Sequence, residues 1–126
     1  MYKINQDIRH RRLIFFAQAP ATSSSLWFDT LVKVQVSPTA NATVVARWRA
    51  PGVYLTEADF VPGDGGAEDD GALVTVLYNA TADASSLAIF DAADLSLLSA
   101  SPLGRAVPFH AHGVVCPRGV ACYSNP

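Results

Sequence analysis

The sequence predicts an all-β fold built as an antiparallel meander. Three features carry that expectation. The segment 27–36 at its end, and the segment 42–50, alternate with a period of two, the signature of a strand with one face buried. Short apolar segments recur at roughly the eight-to-twelve-residue spacing of strand-rich domains, with Gly, Pro, Ser, Asn and Asp clusters between them. Helix signals are poor throughout the chain. With 126 residues there is room for one small domain. Half of the residues are hydrophobic and 16% are charged, the composition of a folded globular protein rather than a disordered one.

The elements follow in order. "RLIFFAQA" (12–19) is a first strand rich in bulky apolar residues, and "PATSSS" (20–25) is a turn by composition. In "WFDTLVKVQV" (27–36), Leu31, Lys33 and Gln35 oppose Val32, Val34 and Val36, which predicts a half-buried strand. "SPTAN" (37–41) turns the chain into "ATVVARWRA" (42–50), which alternates again, with Trp48 between Arg47 and Arg49. Residues 51–71 are irregular, with "EADFVP" (57–62) as a short strand inside them and "GDGGAEDDG" (63–71) as an acidic loop. "ALVTVLYNA" (72–80) is a continuous apolar run, the pattern of a strand covered on both faces. "SSLAIFDAADLSLLSASPL" (85–103) gives a strand, a turn at "DAAD" and a second strand, and "AVPFHAHG" and "VVCP" close the series. This pattern fits a sandwich, a barrel or propeller blades.

The net charge of −2 gives no electrostatic case for nucleic acid or for an anionic membrane surface. No apolar stretch is long enough to cross a bilayer, and the N-terminus lacks the layout of a signal peptide. The expectation is a chain that is not secreted, in the cytoplasm or a plastid. Arg9, His10, Arg11 and Arg12 read as a solvated turn rather than a basic interaction patch. Cys116 and Cys122, with five residues between them, match no zinc or redox motif and read as reduced thiols. Asn41 and Asn79 open N-x-T sequons, a pattern common by chance.

Chemistry centres on "RAVPFHAHGVVCP" (105–117). His110 and His112 are two apart, so on an extended strand their rings share a face. Such a pair can chelate a metal, but a third and a fourth donor are then needed. His10 lies far off in a basic segment, and the cysteines lack zinc spacing. Glu68, Asp69 and Asp70 lack the spacing of an EF-hand calcium loop and read as loop charge. No nucleophile elbow, P-loop or dinucleotide fingerprint is present.

Several phrases taken together resemble one family. "WFDTLVKVQV" is similar to the "W-F-D-x-L-V-K-V-D" stretch of the carotenoid oxygenases, the carotenoid cleavage dioxygenase and retinal pigment epithelial membrane protein-like family. "EADFVPGDGGAEDDGALVTVLYNATADASSLAIFDAADL" resembles its "E-P-x-F-V-P…E-D-D-G-x-L-x-x-x-V-Y-D…S-x-L-x-I-x-D-A-x-D-L" run, and "RAVPFHAHGVVCP" its closing "V-P-x-x-F-H-G". Order and spacing fit across roughly residues 10–117. The resemblance implies a seven-bladed β-propeller with one axial iron(II), Fe(2+), held by four histidines, three of them supported by glutamates. It implies cleavage of a carbon–carbon double bond of a carotenoid or apocarotenoid, an apolar polyene, with molecular oxygen. Neutral imidazoles suit iron(II), and open coordination positions admit oxygen.

Carried over by position, His112, directly before Gly113, takes the role of the last iron ligand. Glu57, opening "E-x-x-F-V-P", takes that of a carboxylate outside the metal's own ligands, accepting a hydrogen bond from the ring N–H of an iron-bound histidine. His110 falls where the family has another residue type and is assigned, with Phe109, to the pocket wall. Ala111 replaces a bulky residue, and Val115 stands where an aromatic is common.

Full members are several times longer, so the resemblance covers their C-terminal end, about two blades. Residues 1–126 are then one partial oxygenase domain, with 1–9 an N-terminal segment without assignment and 118–126 a tail. The expectation is an incomplete propeller that is inactive alone, needs the missing blades, and touches membrane peripherally in the full-length protein only. The alternatives are a non-catalytic β-module with a scaffold or binding role, and a small metal-binding protein using His110 and His112 together.

Overall fold

A computed structural model of the chain describes residues 2–3, 13–20, 27–37, 41–108, 113, 115, 116 and 118. Within them the regular structure is all strand. β1 (Tyr2–Lys3), β2 (Leu13–Gln18), β3 (Thr30–Gln35) and β4 (Thr43–Arg49) form one antiparallel sheet in chain order. β5 (Val53–Leu55), β6 (Asp59–Pro62), β7 (Gly71–Asn79), β8 (Ala84–Asp91) and β9 (Leu97–Pro102) form the second. There β5 and β6 run in succession along one edge of β7, and β8 then β9 follow on the other. The sheets are stitched where Leu55 N–H donates to the Phe28 carbonyl at 2.9 Å.

The tight connections have local causes. After β7, the Asn79 side-chain oxygen accepts the N–H groups of Thr81 and Ala82 at 3.0 and 3.1 Å, an Asx-type turn. After β8, Asp91 and Asp94 do the same for Ala93 and Ser96, each at 2.8 Å, and Leu95 takes a φ of +63° to seat its side chain in the core. The predicted turn at 91–94 is this one.

The core lies between the two sheets. Phe15, Ala17 and Leu31 come from the first, and Leu55, Leu73, Leu77, Ala88 and Phe90 from the second. Phe15 stacks on Phe60 with centroids 5.9 Å apart, and Trp48 meets Phe90 edge-on at 4.8 Å. Each fully buried Phe or Leu contributes roughly 1.5–3 kcal/mol.

Two strands differ from their sequence pattern in instructive ways. β3, read as half-buried, has Leu31, Val32, Lys33 and Val34 all buried. Its polar member is tolerated because its ammonium is ion-paired. β7, read as covered on both faces, buries Leu73, Thr75 and Leu77 and leaves Ala72, Val74, Val76 and Tyr78 half-buried. β1 and β5 were not expected. "EADFVP" starts as a strand only at Asp59, and in the closing segments the described residues 106–108, 113, 115 and 116 form no strand.

Candidate functional site

Glu57 owes its position to a break in pairing. Leu55 faces Leu77, but Asp59 faces Val74. Thr56, Glu57 and Ala58 therefore oppose only Thr75 and Val76, which makes a β-bulge with one extra residue. Thr56 and Ala58 are buried, while Glu57 between them is half-buried. A bulge re-aims a side chain relative to the strand alternation, and here that side chain is a carboxylate.

The bulge is closed by hydroxyls. Thr56 N–H donates to the Val76 carbonyl at 3.1 Å, and Val76 N–H donates to Thr56 Oγ1 at 3.3 Å. Thr75 Oγ1 donates to the Thr56 carbonyl at 3.1 Å, and the two hydroxyl oxygens are 3.2 Å apart. These bonds replace the ladder bonds that the extra residue displaces.

Beside the bulge is a cavity of about 170 Å³. Its wall includes Glu57 and Asp59, the β7 residues Val74 and Val76, and Gly113 and Val115 from the closing segment. It is thus a mixed recess, in which aliphatic side chains stand beside two threonines and two carboxylates. Gly113 is the residue after His112. Phe109, His110 and His112 themselves lie outside the described residues. Of the positions picked out in the sequence, the structure brings Glu57, Gly113 and Val115 together. Sequence reasoning missed Thr56, Thr75 and Leu87, which reach this recess through cross-strand pairing and carry no local signal.

The acidic run has a different use. Lys33, its side chain 4% exposed, places Nζ 2.7 Å from Asp69 Oδ2 and donates to the Ala93 carbonyl at 2.6 Å. Glu68 Oε1 accepts the Leu13 N–H at 2.8 Å, and Asp70 accepts the Gly65 N–H through its side chain. Glu68 and Asp69 thereby clasp the loop before β7 onto β2 and β3, and Asp70 ties that loop to itself. Among the described residues, no group of three His, Cys, Asp or Glu converges to hold a metal ion.

Cys116 is disulfide-bonded, which corrects its reading as a reduced thiol. Motif spacing excluded zinc and dithiol redox sites, but it does not exclude a structural bridge. Cys122 lies outside the described residues. Among the described residues no helix is long and apolar enough to cross a membrane.

Comparison with known proteins adds to this geometry. The family model for retinal pigment epithelial membrane protein matches residues 2–116. The apocarotenoid-15,15'-oxygenase of Synechocystis sp. is 31% identical over 108 residues, covering 83% of this chain and 21% of that protein. The cobalt-substituted Synechocystis apocarotenoid oxygenase (ACO) superposes with a TM-score of 0.68 at 29% identity, over 82% of this chain and 22% of that one. An ACO/RPE65 chimera superposes with a TM-score of 0.67 at 25% identity, over 80% of this chain and 21% of that one. The chain spans about a fifth of the length of the relatives it matches.

Proposed function

The chain belongs to the retinal pigment epithelial membrane protein family, the carotenoid oxygenases, and on that premise we propose that it is part of an iron(II)-dependent dioxygenase. The substrate class is an apolar polyene, a carotenoid or apocarotenoid, one of whose carbon–carbon double bonds is cleaved with molecular oxygen. His112 donates to the iron. Glu57 accepts the ring N–H of an iron-bound histidine supplied by other blades, which fixes that ring's tautomer and direction. His110 and Phe109 belong to the pocket wall. The remaining blades complete the propeller, in the cytoplasm or a plastid, and peripheral membrane contact belongs to the full-length protein.

The observation that supports this reading is the shared cavity of Glu57 and Gly113. These two positions are distant in sequence, and each adjoins or is a position the family resemblance singled out. The described residues alone do not make a metal site, so iron chemistry awaits the other donors.

The test is a chimera in which this chain replaces the matching fifth of the Synechocystis oxygenase. His112→Ala is expected to lose bound iron, measured by metal analysis of the purified protein, while His110→Ala keeps it. The reverse pattern overturns the assignment. The isolated chain is expected to leave a carotenoid intact under the same assay.

A further inference from the structure

The bulge that carries Glu57 is held by two buried hydroxyls, those of Thr56 and Thr75. Thr56 is 6% exposed and Thr75 3%. Each hydroxyl has a single proton. Thr75 spends its proton on the Thr56 carbonyl at 3.1 Å. Thr56 Oγ1 receives the Val76 N–H at 3.3 Å, and its own proton has two acceptors in reach, Thr75 Oγ1 at 3.2 Å and the Glu57 carbonyl at 3.5 Å. Among the described residues no buried side-chain polar atom lacks a partner. A hydrophobic pair of the same size would fill the space equally well. What the hydroxyls add is a fixed path for the backbone of Thr56 and, with it, of Glu57, the next residue along.

We infer that Thr56 and Thr75 are positioning residues for Glu57, setting where its carboxylate meets an imidazole N–H in the neighbouring recess. This rests on the reading of Glu57 as an imidazole acceptor. Buried polar networks specify a geometry when every member is satisfied and lose it when one member is removed. Glu57 is half-buried in a stretch where three residues face two on the neighbouring strand. Its direction is therefore set by the bulge rather than by strand alternation.

The test uses the full 126-residue chain, with free imidazole in large excess as the probe. Backbone amide shifts of Glu57 and Gly113 report binding, and thermal unfolding reports the fold. Wild type is expected to show saturable shifts at both residues, and Glu57→Gln to lose them. Thr75→Val, which keeps the shape and removes the hydroxyl, is expected to weaken imidazole binding roughly fivefold. Thr75→Ser, which keeps the hydroxyl, is expected to bind as wild type does. A merely structural role would lower the melting temperature and leave the imidazole affinity alone.

A folded Thr75→Val that binds imidazole as tightly as wild type overturns the inference. Where Thr75→Val does not fold, Thr75→Cys carries the same comparison through its weaker donor, and wild-type affinity there overturns the inference equally. Absence of imidazole shifts in wild type itself overturns the reading of Glu57, and the positioning role with it. The two failures are thus read from different samples.

Discussion

Lys33 is a buried charge that links the two sheets. Its ammonium sits between Asp69 and the Ala93 carbonyl and 5.8 Å from the Phe15 ring centroid. Removing one partner of a buried ion pair leaves the other uncompensated, whereas replacing the charge with shape can be tolerated better. Asp69 keeps 31% of its side-chain surface, so water softens the loss. Lys33→Ala is expected to cost about 2–3 kcal/mol in urea unfolding, and Lys33→Met clearly less. Nearby, hydrogen bonds from the Ser96 side chain and backbone hold the Asp94 carboxyl below its usual range, and Lys33 adds to the effect. A carboxyl lowered by folding stabilises the fold above the unfolded value, about 4, and that stabilisation is lost as pH falls through the lowered one. Asp94→Asn is therefore expected to lose that contribution above about pH 4 and to converge with wild type in acid, so that the acid side of the stability–pH profile flattens, as followed by thermal unfolding.

At the scale of elements, the "EDDG" phrase is explained by β6 and β7. A Cβ on Gly71 would collide with the Val61 carbonyl and come 2.9 Å from Phe60 Cζ, and its φ is +156°. Gly71→Ala is expected to destabilise by about 2–3 kcal/mol, measured by denaturant unfolding, because backbone on both sides must shift. The period-two pattern made β3 and β4 legible, and length and turn composition did so for β2, β7, β8 and β9. Burial was less legible, because alternation records chemistry and not coverage. Lys33 reads as a solvent-facing residue until its partner, 36 positions away, is known. β5 is three residues long and sits in a Gly- and Pro-marked stretch, so it exists through its pairing with β7 rather than through its own pattern. The family phrase pointed to Glu57, but the bulge beneath it depends on register between strands, and register is not written in either strand alone.

For the whole molecule, the telling feature is the exposed surface of the outermost described strands. β9 is exposed along its length, with Leu98 60% exposed, and it pairs among the described residues with β8 only. Among the described residues β4 is the last strand of the other sheet, with Val44 and Val45 exposed. Open apolar edges template association with further strands. Leu98→Lys is expected to weaken self-association of the isolated chain by about tenfold, read by sedimentation against concentration. The packing of Trp48 on Phe90 has a separate and practical use. That indole touches a ring of the opposite sheet, whereas Trp27 sits 38% exposed beside Tyr54 and Tyr78. The two fluorophores therefore occupy environments of different polarity, and a Trp27→Phe protein would emit from Trp48 alone. Its colour would then serve as an internal gauge of the gap between layers, redshifting when they part and water reaches the indole.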